Sequence, residues 1–170
     1  MRSFASGLFT LLLIGGLFCQ AAPAEETIPR WWQQTLLIPV YSDIYGGDRY
    51  RDKPILLTST LVLRNCDPLH PISVDLVDYL DNGGKLIRQY LQQPQVLGPL
   101  ASTHFIVRES DTAGGAGAKF IVRWHADKAV VEPIVESVMI GTIMQQGISF
   151  SSRGRILAGE RPSTDQASSK

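Results

Sequence analysis

Residues 72–91 read ISVDLVDYLDNGGKLIRQYL, and this stretch decides the fold. The apolar residues at its start alternate with polar ones, which is the period of a half-buried β-strand. The alternation shifts phase at Val77, which predicts a β-bulge. The Asp-Asn-Gly-Gly run at 81–84 tolerates the positive φ angles of a primed turn. Strands 72–80 and 85–91 are therefore predicted to form a β-hairpin.

Similar alternation recurs in short stretches between residues 36 and 157, where helical spacing is rare. These stretches are LLIPVY (36–41), ILLTSTLVLRN (55–65), HFIVRE (104–109), KFIVRWHA (119–126), VESVMIGTIM (135–144) and GISFSSRGRIL (147–157). About eight short strands separated by turns are typical of two antiparallel sheets. The sequence therefore predicts an all-β, two-sheet antiparallel sandwich of immunoglobulin-like type, with a small barrel as the less favoured alternative.

The first 24 residues are predicted to be a secretory signal peptide. A basic residue precedes the apolar stretch Leu8–Phe18, whose length of about 11 residues is well below the roughly 20 of a membrane-spanning helix. Small residues follow, so cleavage is expected after Ala24 or, alternatively, after Ala21. Cys19 leaves lipid attachment open as a minor alternative, although the bulky residue before it argues against acylation. We expect an exported protein, periplasmic or secreted, without a membrane span after cleavage.

Removal of this leader leaves 146 of the 170 residues and a nearly neutral chain. The leader contains Arg2, one of 16 basic residues, and none of the 16 acidic residues, so the mature net charge is −1. Such a chain has no general attraction for nucleic acid, and no nucleic-acid partner is expected. We divide it into a lead-in (25–35), a sandwich domain (36–157) and a tail (158–170) whose polar composition predicts disorder.

The stretch RESDTAGGAGAKF (108–120) has the composition of a phosphate-binding loop but is predicted to be a turn. Its glycine spacing does not fit the phosphate-loop motif, Phe120 stands where a hydroxyl is needed, and a strand follows in place of a helix. If the turn closed a hairpin, His104 would lie opposite His125. Two histidines are too few for a zinc site, so no metal and no cofactor are expected.

Two polar stretches are predicted to form a binding surface, because loops and strand ends held by a rigid sandwich are common binding sites. One is the glycine-containing loop 109–117 and the other is the serine-rich segment 145–153. The candidate residues are Glu109, Ser110, Asp111, Gly114, Gly115, Gln145, Gln146, Ser149, Ser151 and Arg153. We expect a non-catalytic binding or protein-interaction module whose partner is an envelope protein or a glycan.

Two other classes of function remain open. A hydrolase acting on an envelope polymer would use Glu109 and Asp111 as acid and base, with carboxylates about 5–10 Å apart. A structural subunit would dock by strand addition at an open sheet edge. The oligomeric state is not determined by the sequence.

Five segments of the chain together carry a family resemblance: IPVYSDIYGGDR (38–49), LTSTLVLRNCDP (57–68), DYLDNGGKLIRQYL (78–91), LGPLASTHFIVRESDTAGGAGAKFIVRW (97–124) and GTIMQQGISFSSRGR (141–155). They resemble a bacterial family known as domain of unknown function 3124, over roughly residues 36–157. The resemblance implies an exported single domain and no established activity, cofactor or catalytic residue. Cys66 and Lys119 depart from the family pattern, which weakens any essential role for a thiol or a lysine at these positions.

Overall fold

Two antiparallel β-sheets pack face to face in this protein. The computed structural model describes residues 28–48 and 53–163, so the predicted leader at 1–24 lies outside the described residues. The described residues contain β-strands and turns and no α-helix. The strands are β1 (Arg30–Pro39), β2 (Asp43–Ile44), β3 (Ile55–Leu56), β4 (Thr58–Arg64), β5 (Ile72–Leu80), β6 (Leu86–Gln89), β7 (Gln95–Leu97), β8 (Ser102–Val107), β9 (Lys119–Val131), β10 (Ile134–Ile143), β11 (Gln146–Arg153) and β12 (Arg155–Glu160).

Ten of these strands form the two large sheets. Sheet I has the order β12-β1-β9-β5-β6, and β7 pairs with the other end of β5. Sheet II has the order β11-β10-β4-β8, and β2 and β3 form a separate two-stranded ribbon. Every neighbouring pair is antiparallel. The predicted all-β antiparallel sandwich is confirmed.

The core lies between the inward faces of the two sheets. In sheet I, Phe120, Val122 and Trp124 alternate along the central strand β9 and are fully buried. In sheet II, Leu61 and Leu63 of β4 are fully buried in the same way. Removing a buried aromatic side chain of this kind typically costs about 3–5 kcal/mol of stability. The alternation seen in the sequence is thus the alternation between core and solvent.

The β5–β6 hairpin is confirmed, but its turn differs from the predicted one. The Gly84 N–H donates to the Asp81 carbonyl at 3.1 Å, and the Asp81 N–H donates to the Lys85 carbonyl at 3.0 Å. The positive φ of +83° falls on Gly84, whereas Asn82 and Gly83 do not have positive φ angles. The loop is therefore a longer one that ends in a left-handed glycine, and not a two-residue primed turn.

The predicted bulge in β5 is also present. The register of β5 against β9 shifts between Val74 and Leu76, so Asp75 is the extra residue. Its carboxylate lies 2.8 Å from Nδ1 of His125 on the neighbouring strand. The bulge therefore directs an acidic side chain toward a histidine on the solvent face of sheet I.

The loop 108–118 does not close a hairpin. Strand β8 before the loop pairs with β4 in sheet II, whereas β9 after the loop pairs with β1 and β5 in sheet I. His104 is the register partner of Val62, and His125 is the partner of Ser73. The two histidines consequently lie on different sheets, so the hairpin register that would have placed them opposite each other does not occur.

The sandwich extends further at both ends than the sequence indicated. Strand β1 begins at Arg30, inside the predicted lead-in of 25–35, and Trp31 is buried in the core. Strand β12 continues to Glu160, beyond the predicted boundary at residue 157. The two strands pair with each other, and this long-range pairing defines both boundaries. Residues 164–170 of the predicted tail lie outside the described residues.

Candidate functional site

The predicted binding surface is divided between two places in the fold. The loop 109–117 connects β8, at one edge of sheet II, to β9 of sheet I. The segment 145–153 contains the end of the β10–β11 turn and strand β11, at the opposite edge of sheet II. Three strand spacings of about 4.8 Å separate the two edges, or about 14 Å. The structure does not bring the two halves of this surface together.

A groove of about 910 Å³ lies beside the first half. It is bounded by β6 at the edge of sheet I, β8 at the edge of sheet II and the loop that follows β8. We call it the Arg108 groove. Its lining residues are Ile87, Arg88, Ile106, Arg108, Ser110, Asp111, Thr112 and Ala113.

Asp111 holds one wall of the Arg108 groove in place. Its Oδ2 accepts a hydrogen bond of 3.1 Å from the Arg88 guanidinium, so the loop after β8 is joined to β6. Its Oδ1 accepts the Ala113 N–H at 3.3 Å, and its own N–H donates to the Arg108 carbonyl at 2.9 Å. Short-range bonds of this kind are typical of an aspartate that shapes a turn. Asp111 thus stabilises the loop and neutralises one of the two arginines.

Tyr90 contacts two of the residues that line the Arg108 groove, Arg88 and Ile106. Its hydroxyl donates to the Ile106 carbonyl at 2.9 Å, which joins the edges of the two sheets. Its ring packs against Phe105 and Phe120, with centroid separations of 5.4 and 5.7 Å. The Arg88 guanidinium lies 5.5 Å from the centroid of the Tyr90 ring. Burial of the phenol raises the pKa of Tyr90, so the hydroxyl stays a donor well into alkaline solution.

The glycines of the loop have a packing role. A Cβ at Gly114 would overlap the Tyr79 hydroxyl and would lie 2.7 Å from the Ala118 Cβ. Gly115 has a φ of +70°, a conformation that suits glycine, and a Cβ there would lie 2.7 Å from Nδ2 of Asn82. The N–H of Gly117 donates to Oδ1 of the same asparagine. The loop therefore docks onto the β5–β6 turn, as expected for a structural connection and not for a phosphate-binding loop.

The charges of the Arg108 groove favour an anionic ligand. Among the residues that the structure describes, two guanidinium groups and a single carboxylate line it, and that carboxylate is paired with Arg88. Within residues 28–48 and 53–163, the Arg108 side chain forms neither an ion pair nor a hydrogen bond. Ser110 and Thr112 add hydroxyl groups beside it. A guanidinium with free donors next to hydroxyls is suited to binding a carboxylate.

The groove does not contain the pair of carboxylates that acid–base hydrolysis needs. Asp111 lines it, but Glu109 is exposed and is not among the lining residues. Asp111 itself is held by Arg88 at 3.1 Å. This arrangement of Glu109 and Asp111 does not fit the acid–base pair of the hydrolase hypothesis.

The second half of the predicted surface lies on the outer face and edge of sheet II. Ser149, Ser151 and Arg153 are exposed on β11, in register with Ile140, Val138 and Glu136 of β10. Gln145 lies in the turn before β11, and Gln146 is its first residue. None of these residues lines the Arg108 groove.

Sequence reasoning identified only two residues of this groove, Ser110 and Asp111. It missed Arg88 and Arg108, which supply the positive charge, because each occurs singly in an ordinary strand segment. It also missed Ile87 and Ile106, which resemble any other strand residue. No local pattern connects Arg88 with Asp111, which are 23 residues apart in the chain.

Neither a metal centre nor a spanning helix is found in the described part of the chain. No three His, Cys, Asp or Glu side chains within 28–48 and 53–163 are arranged to hold a metal ion. No helix there has the length and apolar character needed to cross a membrane.

The comparisons with known proteins give a family and a weak structural similarity. The sequence model of the family described as "Protein of unknown function (DUF3124)" matches residues 33–157. No curated protein matches the chain. A solved structure, titled "Crystal Structure of Thermotoga maritima 1070", covers 75% of this chain and 97% of that chain, with 10% sequence identity and a TM-score of 0.42. A similarity this weak carries no argument about the site.

Proposed function

We propose that this protein, which belongs to the DUF3124 family, is an exported, non-catalytic binding module of the bacterial envelope. Its ligand in this proposal is an acidic peptide segment of another envelope protein, bound in the Arg108 groove. The observation that carries the proposal is the Arg108 guanidinium, which has no partner in the described part of the chain. It lies beside two hydroxyls and two isoleucines, and the carboxylate in the groove is already paired with Arg88.

The lining of the groove favours a peptide over a glycan. Ile87 and Ile106 offer aliphatic surface for an apolar side chain, while Arg108 offers a partner for an acidic one. Arginine-based recognition of acidic segments is a recurring mode of peptide binding. None of the described residues that line the groove is aromatic, so they offer no ring face for a sugar to stack on, and the nearby Tyr90 ring is packed against Phe105, Phe120 and Arg88.

The proposed ligand can be tested by a pull-down from envelope extract in which the wild-type protein is compared with two matched variants. Arg108→Glu reverses the free charge in the groove, and Arg123→Glu makes the same change on the outer face of sheet I. Bound proteins should be retained by the wild type and by Arg123→Glu, lost with Arg108→Glu, and released by high salt. Their loss from a protease-treated extract should show that the ligand is a peptide.

Two results would contradict the binding proposal. Equal capture by Arg108→Glu and wild type would exclude the groove as the site. Capture of a protease-resistant carbohydrate would replace the peptide with a glycan. Thermal melting of both variants provides the control for folding, since neither guanidinium has a partner within residues 28–48 and 53–163.

Export is tested by the mass and location of the chain in the cell. The proposal expects a processed chain that begins after Ala24 or Ala21 and is found in the periplasmic or secreted fraction. A lipid on Cys19 would instead appear as an acyl mass on a membrane-associated chain. An unprocessed chain confined to the cytoplasm would contradict export.

A further inference from the structure

Strand β11 forms an unprotected edge of sheet II. It runs for eight residues, pairs only with β10 among the described strands, and shows no register shift along that pairing. It contains no proline, lysine or acidic residue, and its only charged side chain is Arg153 at the end. A long, regular and nearly uncharged edge is a ready template for another strand.

The other edges of the two sheets are protected. Strand β12 begins and ends with charged residues and is paired to β1 through a register shift. Strands β6 and β7 are only four and three residues long. On β8, the Tyr90 hydroxyl occupies the outward carbonyl of Ile106. The contrast indicates that the open edge of β11 is a specific feature of this molecule.

The hydrogen-bonding direction along β11 follows from the turn that precedes it. Met144 and Gln145 have φ angles of +48° and +66°, and Ile143 pairs with Gln146, which is the geometry of a two-residue primed hairpin. The closing pair in such a hairpin is hydrogen-bonded, so Gln146 faces β10, and alternate residues after it do the same.

The outward N–H and C=O groups of β11 therefore belong to Gly147, Ser149, Ser151 and Arg153. The same alternation of hydrogen-bonding direction can be followed through the registers of β10 with β4 and of β4 with β8. It places the Ile106 carbonyl on the outward side of β8, away from β4. The bond from the Tyr90 hydroxyl to that carbonyl agrees with it. Within the residues that the structure describes, these four positions of β11 thus present main-chain groups without a partner along one line.

We infer that β11 pairs antiparallel with β11 of a second copy of this chain, about a two-fold axis at Phe150. In this register, Ser149 meets Ser151 of the second copy, and Gly147 meets Arg153. All four outward residues then form hydrogen-bonded pairs, and the two copies of sheet II become one continuous eight-stranded sheet. When the outward N–H and C=O groups of a strand pair with those of the same strand in a second copy, the interface is closed and two-fold symmetric.

Charge and side chains both favour a second copy in the antiparallel direction. Arg153 of each copy faces Gly147 of the other copy, and positions 147 and 153 are six residues apart. The two arginines therefore stay roughly 20 Å apart along the strands. Ser149 and Ser151 form hydroxyl pairs on the outer face. Phe150, which already contacts Tyr41 at 5.6 Å between ring centroids, lies next to Phe150 of the second copy on the inner face.

The self-pairing does not depend on the Arg108 groove. The groove lies at the β8 edge, and β11 is at the opposite edge of the same sheet. A dimer formed through β11 consequently leaves both grooves open. Failure of the peptide-binding proposal would leave this inference unaffected, and the reverse also holds.

Sedimentation and light scattering of the purified chain from micromolar to millimolar concentration test the inference. The expected result is a concentration-dependent dimer with twice the monomer mass. Ser151→Pro removes an outward N–H that the internal ladder does not use, so it should weaken dimerisation about a hundredfold while the fold is retained. Ser102→Pro makes the same change at the first residue of β8, on the other edge, and should leave the dimer intact.

Amide hydrogen exchange on the wild-type chain provides a readout that does not require a variant to fold. The N–H groups of Gly147, Ser149, Ser151 and Arg153 should become protected only at concentrations that form the dimer. A protein that stays monomeric at every concentration would overturn the inference. Pairing of β11 with a strand from another protein would then be the remaining hypothesis for this edge. A dimer that Ser151→Pro does not weaken, or that leaves these amides exchanging freely, would overturn it as well.

Discussion

The Tyr90 hydroxyl donates a hydrogen bond of 2.9 Å to the main-chain carbonyl of Ile106. Tyr90 follows the edge strand β6 of sheet I, and Ile106 lies in the edge strand β8 of sheet II. This bond closes one side of the sandwich and holds Ile106 in the wall of the Arg108 groove. It also occupies a carbonyl that would otherwise be open to another strand.

Tyr90→Phe should remove this bond while keeping the ring contacts with Phe105 and Phe120. The expected loss is about 1 kcal/mol, because the carbonyl remains near solvent, and Tm should fall by about 2–6 °C. Differential scanning calorimetry measures it. Tyr45→Phe, at an exposed tyrosine, is the matched control and should leave Tm unchanged. An equal effect of the two changes would show that the bond contributes nothing to stability.

Stability should decrease at alkaline pH because of two buried phenols. Burial raises the pKa of Tyr79 and of Tyr90 above the ordinary value of 10.0. The contribution of these two phenols to stability is complete below pH 10, where they are protonated in both the folded and the unfolded protein. It is lost as the pH rises through their pKa values in the folded protein. Melting curves from pH 9 upward should show a decline that is shallower in the double variant Tyr79→Phe, Tyr90→Phe. A decline of the same slope in both proteins would assign the effect to other groups.

Gly114→Ala should destabilise the fold and not simply weaken binding. The added Cβ would overlap the Tyr79 hydroxyl, which shares a hydrogen bond of 2.8 Å with Ser42, in a buried and well-packed place. We expect a loss of about 1–3 kcal/mol in urea unfolding. Gly98→Ala, where a Cβ has no neighbour within 4 Å, is the control and should stay within about 0.5 kcal/mol. A wild-type midpoint for Gly114→Ala would contradict the packing role.

Gln145→Gly should stabilise the β10–β11 hairpin. Gln145 has a φ of +66° in a turn whose favoured residues are asparagine and glycine. Glycine relieves the strain of the left-handed conformation, but it also loses more chain entropy on folding. The net gain in the free energy of unfolding should be about 0.5–1 kcal/mol. Gln146→Gly, one residue later in a strand without positive φ, should lower the unfolding midpoint. A decrease in both variants would contradict the strain in this turn.

Asp67 should make the protein sensitive to acid. Its side chain is 1% exposed, and its carboxylate accepts the N–H groups of Leu69, His70 and Val131 and an ion pair of 3.0 Å from Arg30. Burial alone would raise the pKa of Asp67, but these backbone hydrogen bonds and the arginine outweigh it and hold the pKa below the ordinary 3.8. The stabilisation is present above pH 4 and is lost as the pH falls through the lowered pKa.

Asp67→Asn should therefore cost about 2–3 kcal/mol at neutral pH, since an amide cannot replace a carboxylate that accepts four donors. The difference from wild type should shrink in unfolding experiments below pH 4. Asp127→Asn, at an exposed aspartate of β9, is the control and should have little effect at either pH. A constant difference across this pH range would show that the charge of Asp67 is not responsible.

Much of the fold could be predicted because it depends on neighbouring residues. The hairpin at 81–84 and the bulge before Val77 follow from turn residues and from the phase of alternation. The turn predicted at 108–118 is a connection between strands, but its glycines did not reveal that it crosses from one sheet to the other, since a glycine-rich connection can join paired strands or cross between sheets equally well. For the same reason only two of the eight described residues that line the Arg108 groove, Ser110 and Asp111, were among the predicted site residues, whereas Arg88 and Arg108 were missed.

By itself the sequence determined that this chain alternates apolar and polar residues in short strands, and so that it forms two layers of β-structure around an apolar core. The tertiary structure alone decided which strands are neighbours, and with them the bond between Arg88 and Asp111, the bond between Tyr90 and Ile106, and the open edge of β11. The physical reason is the range of the interactions. Alternation and turns depend on residues a few positions apart, whereas strand order is settled by hydrogen bonds and core packing between segments far apart in the chain.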